Sequence, residues 1–338
     1  MKKWVGLAVL LGILILAFVL KDIHFYEVLK LLKNLNPGYF FLAFLCSLLS
    51  FLVLNAKFIA LVKETFKIEY FFSLAVLFAG SFLNILTPGA GVGGEPIKAF
   101  FLNKRYKISK TKVFGIIGAD KFFQLMVFSF FLLFSILFLL FFINIPKNLK
   151  FTLEIILFIT LFLFGVFIFL NIKTINFNPG FFFKVFYGLW FIKSKFSSSR
   201  EFEKFINSKA QIFFRAFKKI SKTRKNFFYG IFYSILFYIF VYLLSWFLFL
   251  SFGYSVNFLS IIIVVTLGML IGEISPVPGG VGVTESTMFL LYNAMGISFS
   301  LAVIVALFSR LIHYFFSFIV GGLSLVYLEQ FLGKNGSR

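Results

Sequence analysis

The sequence predicts an all-α, polytopic membrane protein, and three observations indicate this fold class. Of the 338 residues, 61% are hydrophobic and only 13% are charged, whereas about a quarter of the residues of a soluble domain are charged. Several uninterrupted apolar runs approach or exceed the roughly 20 residues that a helix needs to cross a bilayer. The run 127–142 shows no alternation of polar and apolar residues, which the strands of an outer-membrane barrel would show. The composition therefore excludes a soluble globular protein.

The positive charge of the chain is explained by membrane topology. Lys and Arg number 33 against 12 Asp and Glu, for a formal net charge of +21. Basic residues collect in the cytoplasmic loops of membrane proteins and face anionic lipid headgroups. We therefore expect membrane lipids, and no nucleic acid, as partners. One cysteine (Cys46) and two histidines (His24 and His313) are too few for an intrachain disulfide or a thiolate and imidazole metal site, so no metal and no cofactor are expected.

The apolar runs divide into about eight hydrophobic segments, which we interpret as six full spans and two re-entrant hairpins in one membrane domain, 1–338. The first run, 4–20, lacks a small-residue cleavage site, which indicates an uncleaved span. Runs 70–86 and 258–274 each end in a cluster of proline and glycine instead of a charged loop. Each is expected to be the first arm of a re-entrant hairpin. The other full spans are 38–62, 113–143, 151–170, 227–252 and 300–328.

A long basic segment without a spanning run separates the two groups of spans. Residues 171–226 carry 13 Lys or Arg against two acids, Glu201 and Glu203. The positive-inside bias places this segment in the cytoplasm. Its phenylalanines alternate with its basic residues, which is typical of amphipathic helices on an anionic membrane surface.

The two Pro/Gly clusters mark an internal repeat. Glu95 follows Pro88 by seven residues, and Glu285 follows Pro278 by seven. An Ile-Ser pair follows in each half, and a base stands twelve residues after that serine. These bases are Lys121 in the first half and Arg310 in the second. The same residue types in the same order over more than thirty residues predict two equivalent halves, 1–143 and 151–330.

The charges of two linkers indicate that the halves have opposite orientations. The linker 98–112 has six Lys or Arg and no acid, while the corresponding 289–299 has no charge. The positive-inside bias places the two linkers on opposite sides of the membrane. The sequence therefore predicts an inverted-topology repeat, an architecture that recurs in transporters, in the cell (inner) membrane with both termini cytoplasmic.

The acids beside the glycines are the main candidate site residues. An ionised side chain at the centre of a spanning helix costs roughly 2.5–3.5 kcal/mol, so Glu95 and Glu285 should have basic partners. These pairs could simply fix each hairpin to the adjoining span. Alternatively, the bases and the N–H groups of the tips bind a phosphate while a glutamate alternates between pairing and protonation. The candidate binding or transport residues are Asn84, Glu95, Lys98, Asp120, Lys121, Glu273, Glu285 and Arg310, and the candidate tip residues are Pro88, Gly89, Gly93, Gly94, Pro278, Gly279, Gly280 and Gly282.

Four polar residues on the spans are weaker candidates, and no residue is assigned a catalytic role. Asn55, Lys57, His313 and Tyr314 are more typical of hydrogen bonds between helices than of a transport pathway. No nucleophile and base pair is visible. Neither glycine cluster ends in the Gly-Lys-Ser/Thr of a nucleotide-binding loop.

Three motifs together resemble a known family. They are the segment 84–98, which reads NILTPGAGVGGEPIK, the segment 276–285, which reads PVPGGVGVTE, and the pair of DKFFQ at 120–124 with Ser309-Arg310. This chain resembles the flippase-like membrane domain of lysylphosphatidylglycerol synthases and its stand-alone relatives, from about residue 5 to 330. The resemblance implies lipid transport between leaflets, or a part in lipid-linked glycan assembly. The chain stops at Arg338, without room for an aminoacyl-transfer domain, so lysyl transfer is not expected.

Three functions follow as hypotheses. The first is a flippase or transporter that moves an anionic phospholipid or a lipid-linked headgroup between leaflets. The second is a membrane enzyme that acts on a lipid headgroup. The third is an assembly subunit that holds a lipid-modifying enzyme or a glycosyltransferase through segment 171–226. The first is preferred, and the protein is accordingly not expected to be an enzyme.

Overall fold

A computed structural model of the chain describes residues 31–63, 65–87, 93–142, 151, 154–161, 165 and 199–335. Within these residues the regular elements are all helical, as the composition predicts. In chain order they are α1 (Pro37–Val62), α2 (Tyr70–Leu86), α3 (Glu95–Tyr106), α4 (Lys110–Phe142), α5 (Ser199–Ser221), α6 (Arg224–Ser251), α7 (Phe258–Ile274), α8 (Val283–Ala294), α9 (Phe299–Tyr314) and α10 (Gly321–Asn335), with a 3₁₀ turn at Pro278–Gly280 and a π-helical turn at Phe315–Val320.

Four helical segments in this part of the chain are long and apolar enough to cross a membrane. They are α1, α4, α6 and the continuous segment Phe299–Leu332, which joins α9 to α10 through the π-helical turn. They correspond to four of the six predicted spans. The predicted span 4–20 lies outside the described residues, as does most of 151–170.

Two short helix pairs occupy the predicted hairpin positions. The first arms α2 and α7 each have 17 residues, with the same bounds as the apolar runs, and the second arms α3 and α8 each have 12. A helix of 17 residues is about 25 Å long, which is less than the roughly 30 Å hydrocarbon core of a bilayer. Neither arm of a hairpin is therefore long enough to be a full span on its own.

Glycines bring the arms of both hairpins into close contact at equivalent positions. Gly80 and Gly268 are each the eleventh residue of their helix. Gly80 lies against Lys98 and Gly94 of the second arm, and Gly268 lies against Met288 and Thr284. A Cβ at Gly80 would overlap the Lys98 side chain, and one at Gly268 would overlap Met288. The same packing is therefore used in both hairpins, with a lysine in the first where the second has a methionine.

The turns that follow the second arms are similar, although the second turn is one residue longer than the first. Lys107 ends α3 with φ of 55°, and Gly296 follows α8 with φ of 85°. The Asn103 side chain donates a hydrogen bond of 2.7 Å to the carbonyl of Ile108, and Asn293 donates one of 3.1 Å to that of Ile297. Matched lengths, contacts and turns are what an internal repeat requires.

The two predicted halves share one hydrophobic core. Helix α1 packs along α6, and α10 packs against α2. Buried side chains from both halves, such as Phe51, Phe78, Tyr242 and Phe289, belong to one contiguous cluster. The described arms of the hairpins are therefore held between spans of both halves.

Helix α5 is the part of the basic segment 171–226 that the structure describes before α6. Its apolar side packs on α4, where the backbone of Phe213 and the side chain of Ala216 lie against Gly115. Phe213 and Phe217 also lie over Gly118. That apolar side is directed at the protein, whereas the sequence pattern predicted that it would lie on lipid. Residues 171–198 lie outside the described part.

The inverted orientation predicts that two equivalent positions can be labelled only from opposite sides of the membrane. Lys104 and Ala294 are both exposed and stand nine residues after the hairpin glutamates. In a Cys46→Ser background, Lys104→Cys should react with a membrane-impermeant maleimide only from the cytoplasmic side, and Ala294→Cys only from the outside. The Cys46→Ser protein without a new cysteine is the blank, because Cys46 is the only cysteine of the chain. Labelling of both positions from one side would contradict the inverted repeat.

Candidate functional site

A cavity of about 270 Å³ is lined by residues of both predicted halves. Its walls come from α1, α2, α3 and α4 of the first half and from α6, α7, α8 and α9 of the second. Five charged side chains reach it among helices that are otherwise apolar, namely Lys98, Asp120, Lys121, Glu273 and Arg310. Serine, threonine and asparagine side chains such as Ser47, Ser81 and Asn84 line other parts of the wall.

The first hairpin contributes one carboxylate that is shared by two lysines. Glu95 is 6% exposed, and its Oε1 lies 3.3 Å from Nζ of Lys98 and 3.4 Å from Nζ of Lys121. The lysine side chains are 17% and 34% exposed, and both line the cavity. An ammonium group has three donors, so each lysine has donors beyond the one directed at Glu95. Both lysines therefore have N–H donors that Glu95 does not use.

The second hairpin has a more fully bonded ion pair. Arg310 Nε lies 3.2 Å from Glu285 Oε1, and Arg310 Nη2 donates bonds of 2.7 Å to the carbonyl of Gly279 and 2.9 Å to the hydroxyl of Tyr314. The other oxygen of Glu285 accepts a bond of 2.8 Å from the N–H of Gly282. Arg310 thus connects α9 to the tip of the hairpin, where Gly279 adopts φ of 62° and Gly282 adopts 81°.

A third ion pair joins α1 to α4 behind the cavity wall. Nζ of Lys57 lies 3.1 Å from Oδ1 of Asp120 and 3.3 Å from the backbone carbonyl of the same residue. The Lys57 side chain is completely buried. Asp120 is therefore paired with Lys57, whereas its sequence neighbour Lys121 is paired with Glu95.

Three of the described N–H groups of the hairpin tips, those of Gly94, Gly280 and Gly282, are bonded within the protein. The N–H of Gly94 donates a bond of 2.6 Å to the Asn84 side chain, so Asn84 caps the start of α3. Gly280 donates to the carbonyl of Val277, and Gly282 donates to Glu285. Thr87 lies against Gly93. Pro88 and Gly89 lie outside the described residues. The cations of the cavity are therefore better placed to bind a phosphate than these N–H groups.

Glu273 differs from the other acids of the cavity. It is the penultimate residue of α7, five residues before Pro278, and it is exposed and lines the cavity. Within the described residues it has no basic group within 4.0 Å, unlike Glu95, Asp120 and Glu285. Lys121 and Arg310 are the cations that act on it electrostatically. The sequence marks Glu273 only as a further acid near the tip.

The weaker candidates have structural contacts. Asn55 donates a bond of 3.3 Å to the carbonyl of Tyr70 and so ties α1 to the start of α2. The His313 ring stacks on Phe51 with ring centroids 5.2 Å apart, at the edge of the cavity. Tyr314 belongs to the Arg310 cluster. Of the four, only His313 and Tyr314 line the cavity.

The close approach of the arms predicts that Gly94→Ala destabilises the protein. A Cβ at Gly94 would overlap the backbone carbonyl of Gly80, which cannot move without moving α2. Overpacking of this kind costs about 1–3 kcal/mol, so the midpoint of thermal unfolding in detergent should fall. Gly322→Ala is the matched control, because the nearest atom to its Cβ is 3.9 Å away in the Phe82 ring. Equal stability of Gly94→Ala and the parent protein would show that the arms do not pack as described.

Comparison with known proteins shows the family of the chain that forms this cavity. Residues 4–321 match the family model described as the lysylphosphatidylglycerol synthase TM region. The chain belongs to this family. Similar proteins include the UPF0104 membrane protein MJ1595 of Methanocaldococcus jannaschii, which is 27% identical over 97% of this chain and 96% of its own length. The UPF0104 membrane protein PH1989 of Pyrococcus horikoshii is 27% identical over 96% of each chain.

The names of these similar proteins describe them as membrane proteins and state no enzymatic activity. A UPF0104 membrane protein of Methanothermobacter thermautotrophicus is 22% identical over 97% of this chain. The family and the four long apolar helices together identify this protein as a multi-pass membrane protein.

Proposed function

We propose that this protein moves the headgroup of an anionic phospholipid or of a lipid-linked carrier between the leaflets of the cell membrane. The observation that carries the proposal is the cavity between the two hairpins, where Lys98 and Lys121 share one carboxylate inside an otherwise apolar bundle. Charged side chains in membrane helices are costly and typically mark a substrate or ion pathway. A lipid phosphate is an anion that such a pair of lysines would bind while the acyl chains stay in the bilayer.

The two hairpins have different parts in this proposal. Arg310 is held by three protein groups and keeps the second tip attached to α9. Lys98 and Lys121 compete for a single oxygen of Glu95, at 3.3 and 3.4 Å. A phosphate that enters the cavity can bind one or both lysines with little change in the fold. Glu95 then keeps these lysines in position when no headgroup is present.

The repeated architecture supplies the means of alternating access. Two equivalent halves of opposite orientation would open the cavity to one side and then to the other by moving against each other. The cell membrane location, the cytoplasmic termini and the lipid partner belong to this proposal. A cavity lined by both halves is what alternating access requires.

Reconstitution into liposomes tests the proposal. Vesicles contain the purified protein and a phosphatidylglycerol with a fluorescent headgroup label, and a membrane-impermeant reductant then quenches the label in the outer leaflet. The protein should raise the fraction that becomes accessible to the reductant above that in protein-free vesicles, with the lipid mass unchanged. The control variant is Glu69→Gln, since Glu69 pairs with Arg105 on the surface, away from the cavity.

The other outcomes of the same experiment would replace the proposal. A change in headgroup mass would indicate an enzyme that acts on the lipid. If neither the sidedness nor the mass changed with any anionic lipid tested, the assembly-subunit hypothesis would stand instead, with a lipid-modifying enzyme or a glycosyltransferase as its partner.

A further inference from the structure

The charges around the cavity balance in the part of the chain that the structure describes. Four bases contribute to the cavity or to the ion pairs in its walls, and so do four acids. The bases are Lys57, Lys98, Lys121 and Arg310, and the acids are Glu95, Asp120, Glu273 and Glu285. With every group ionised, the empty site carries no net charge.

An anionic headgroup would disturb this balance. Each phosphodiester that entered the neutral site would bring one negative charge into a region of low dielectric, where an uncompensated charge is costly. Glu95, Asp120 and Glu285 cannot easily lose their charge, because each would leave a base without its partner. Glu273 has no such partner within 4.0 Å among the described residues, so neutralising it strands no base.

The surroundings of Glu273 link its charge to the headgroup. The titratable or charged groups that line the same cavity are Lys98 on α3, Asp120 and Lys121 on α4, and Arg310, His313 and Tyr314 on α9, and Tyr238 on α6 interacts with Glu273 electrostatically. Lys121 and Arg310 are the cations that act on the Glu273 carboxylate in the empty site, and they oppose the effect of its desolvation, which is the larger of the two. A phosphate bound by Lys121 would compensate the positive charge, and the support for the carboxylate would be lost.

We propose that one proton travels with each anionic headgroup and that the Glu273 carboxyl group carries it. The inference rests on the proposed function. On loading, the carboxylate takes one proton from water on the open side and becomes a neutral carboxylic acid, while the headgroup supplies the negative charge. On release to the other side, the acid returns the proton to water and the carboxylate compensates the bases again. The loaded and empty sites then have the same net charge, and the pH gradient across the membrane becomes a driving force for lipid movement.

A pH gradient across liposomes tests this coupling. Vesicles carry the fluorescent phosphatidylglycerol, the two sides differ by one pH unit, and valinomycin with equal potassium on both sides holds the membrane potential near zero. With one proton per lipid, the wild-type protein should enrich the label in the leaflet facing the more alkaline side by about tenfold. Protein-free vesicles give the passive distribution to be subtracted. Glu69→Gln, a matched acid-to-amide change on the surface, should respond like the wild type.

The Glu273 variants decide the assignment. Glu273→Gln should move the label between leaflets but leave it evenly distributed under the gradient, whereas Glu273→Asp should keep the enrichment. A Gln variant that still responds to the gradient, or one that is folded and moves no lipid, would overturn the role of Glu273. If Glu273→Gln does not fold, the wild-type protein tests the coupling instead. Labelled lipid added to the outer leaflet should acidify the lumen of the vesicles, which an entrapped pH dye measures. Lipid movement without acidification would overturn the coupling.

Failure of the coupling is distinct from failure of the proposed function. If the wild-type protein moves the label but distributes it evenly under the gradient, only the coupling is wrong. If it moves no lipid with or without the gradient, the transport function itself is wrong.

Discussion

Arg310→Gln should lower the stability of the detergent-solubilised protein by about 3–5 kcal/mol, the largest loss that we expect from a single change at the cavity. That is the typical cost of removing one partner of a buried ion pair, since the other charge is left uncompensated. Glu285 is 3% exposed and would lose its only base among the described residues. The same change removes the bond of 2.7 Å to the carbonyl of Gly279, which fixes the hairpin tip.

Two further variants separate the sources of this loss. Glu285→Gln alone strands the guanidinium group and should also destabilise the protein. In the double variant Glu285→Gln with Arg310→Gln no charge is stranded, so part of the stability should return, although the bond to Gly279 is still missing. Thermal unfolding in detergent measures all three. If Arg310→Gln leaves stability unchanged and abolishes lipid movement, Arg310 contacts the headgroup and does not serve to fix the hairpin.

Lys98→Met should reduce lipid movement by about 10- to 100-fold while costing little stability. A hydrogen bond to a charged group contributes about 1.5–3 kcal/mol, and 1.36 kcal/mol in a barrier corresponds to tenfold in rate. Methionine is the residue that stands at the equivalent position, Met288, of the second hairpin, so it fits the glycine that faces it. Stability should hold because Glu95 keeps Lys121 at 3.4 Å.

Companion variants make the result specific. Lys121→Gln should behave like Lys98→Met, because either lysine alone still neutralises Glu95. The double variant should lose stability as well, since the carboxylate then has no base among the described residues. Lys104→Gln is the matched control, an exposed lysine on the same helix but outside the cavity. Normal lipid movement by Lys98→Met would remove Lys98 from the binding site.

The sequence predicts the parts of the fold that depend on local pattern. The runs 70–86 and 258–274 have the bounds of α2 and α7, because each ends in Pro and Gly residues that stop a helix. The sequence also predicts that Glu95 and Glu285 have basic partners, and both form ion pairs in the structure. Two copies of one motif predict similar local structures, even where the copies are far apart in the sequence.

Long-range packing decided what the sequence could not predict. The sequence names Asp120 as a candidate but does not identify its partner, because 63 residues separate Asp120 from the lysine that pairs with it and only the crossing of α1 and α4 brings the two together. The sequence also does not show that Glu273 lacks a basic partner within 4.0 Å among the described residues, because that depends on which bases the other helices bring near it. Helix α5 shows the same effect, since amphipathic periodicity does not distinguish a lipid surface from the glycines of α4.

The Lys57–Asp120 ion pair has a consequence for how the protein is made. Helix α1 leaves the ribosome before α4 is synthesised, so Lys57 meets the bilayer when its partner does not yet exist. Lys57 stands five residues from the end of α1, a distance of about 7.5 Å along the helix. Its flexible stem can hold the ammonium group at the water interface until Asp120 arrives. The ion pair that joins α1 to α4 can therefore form only after both helices have been synthesised.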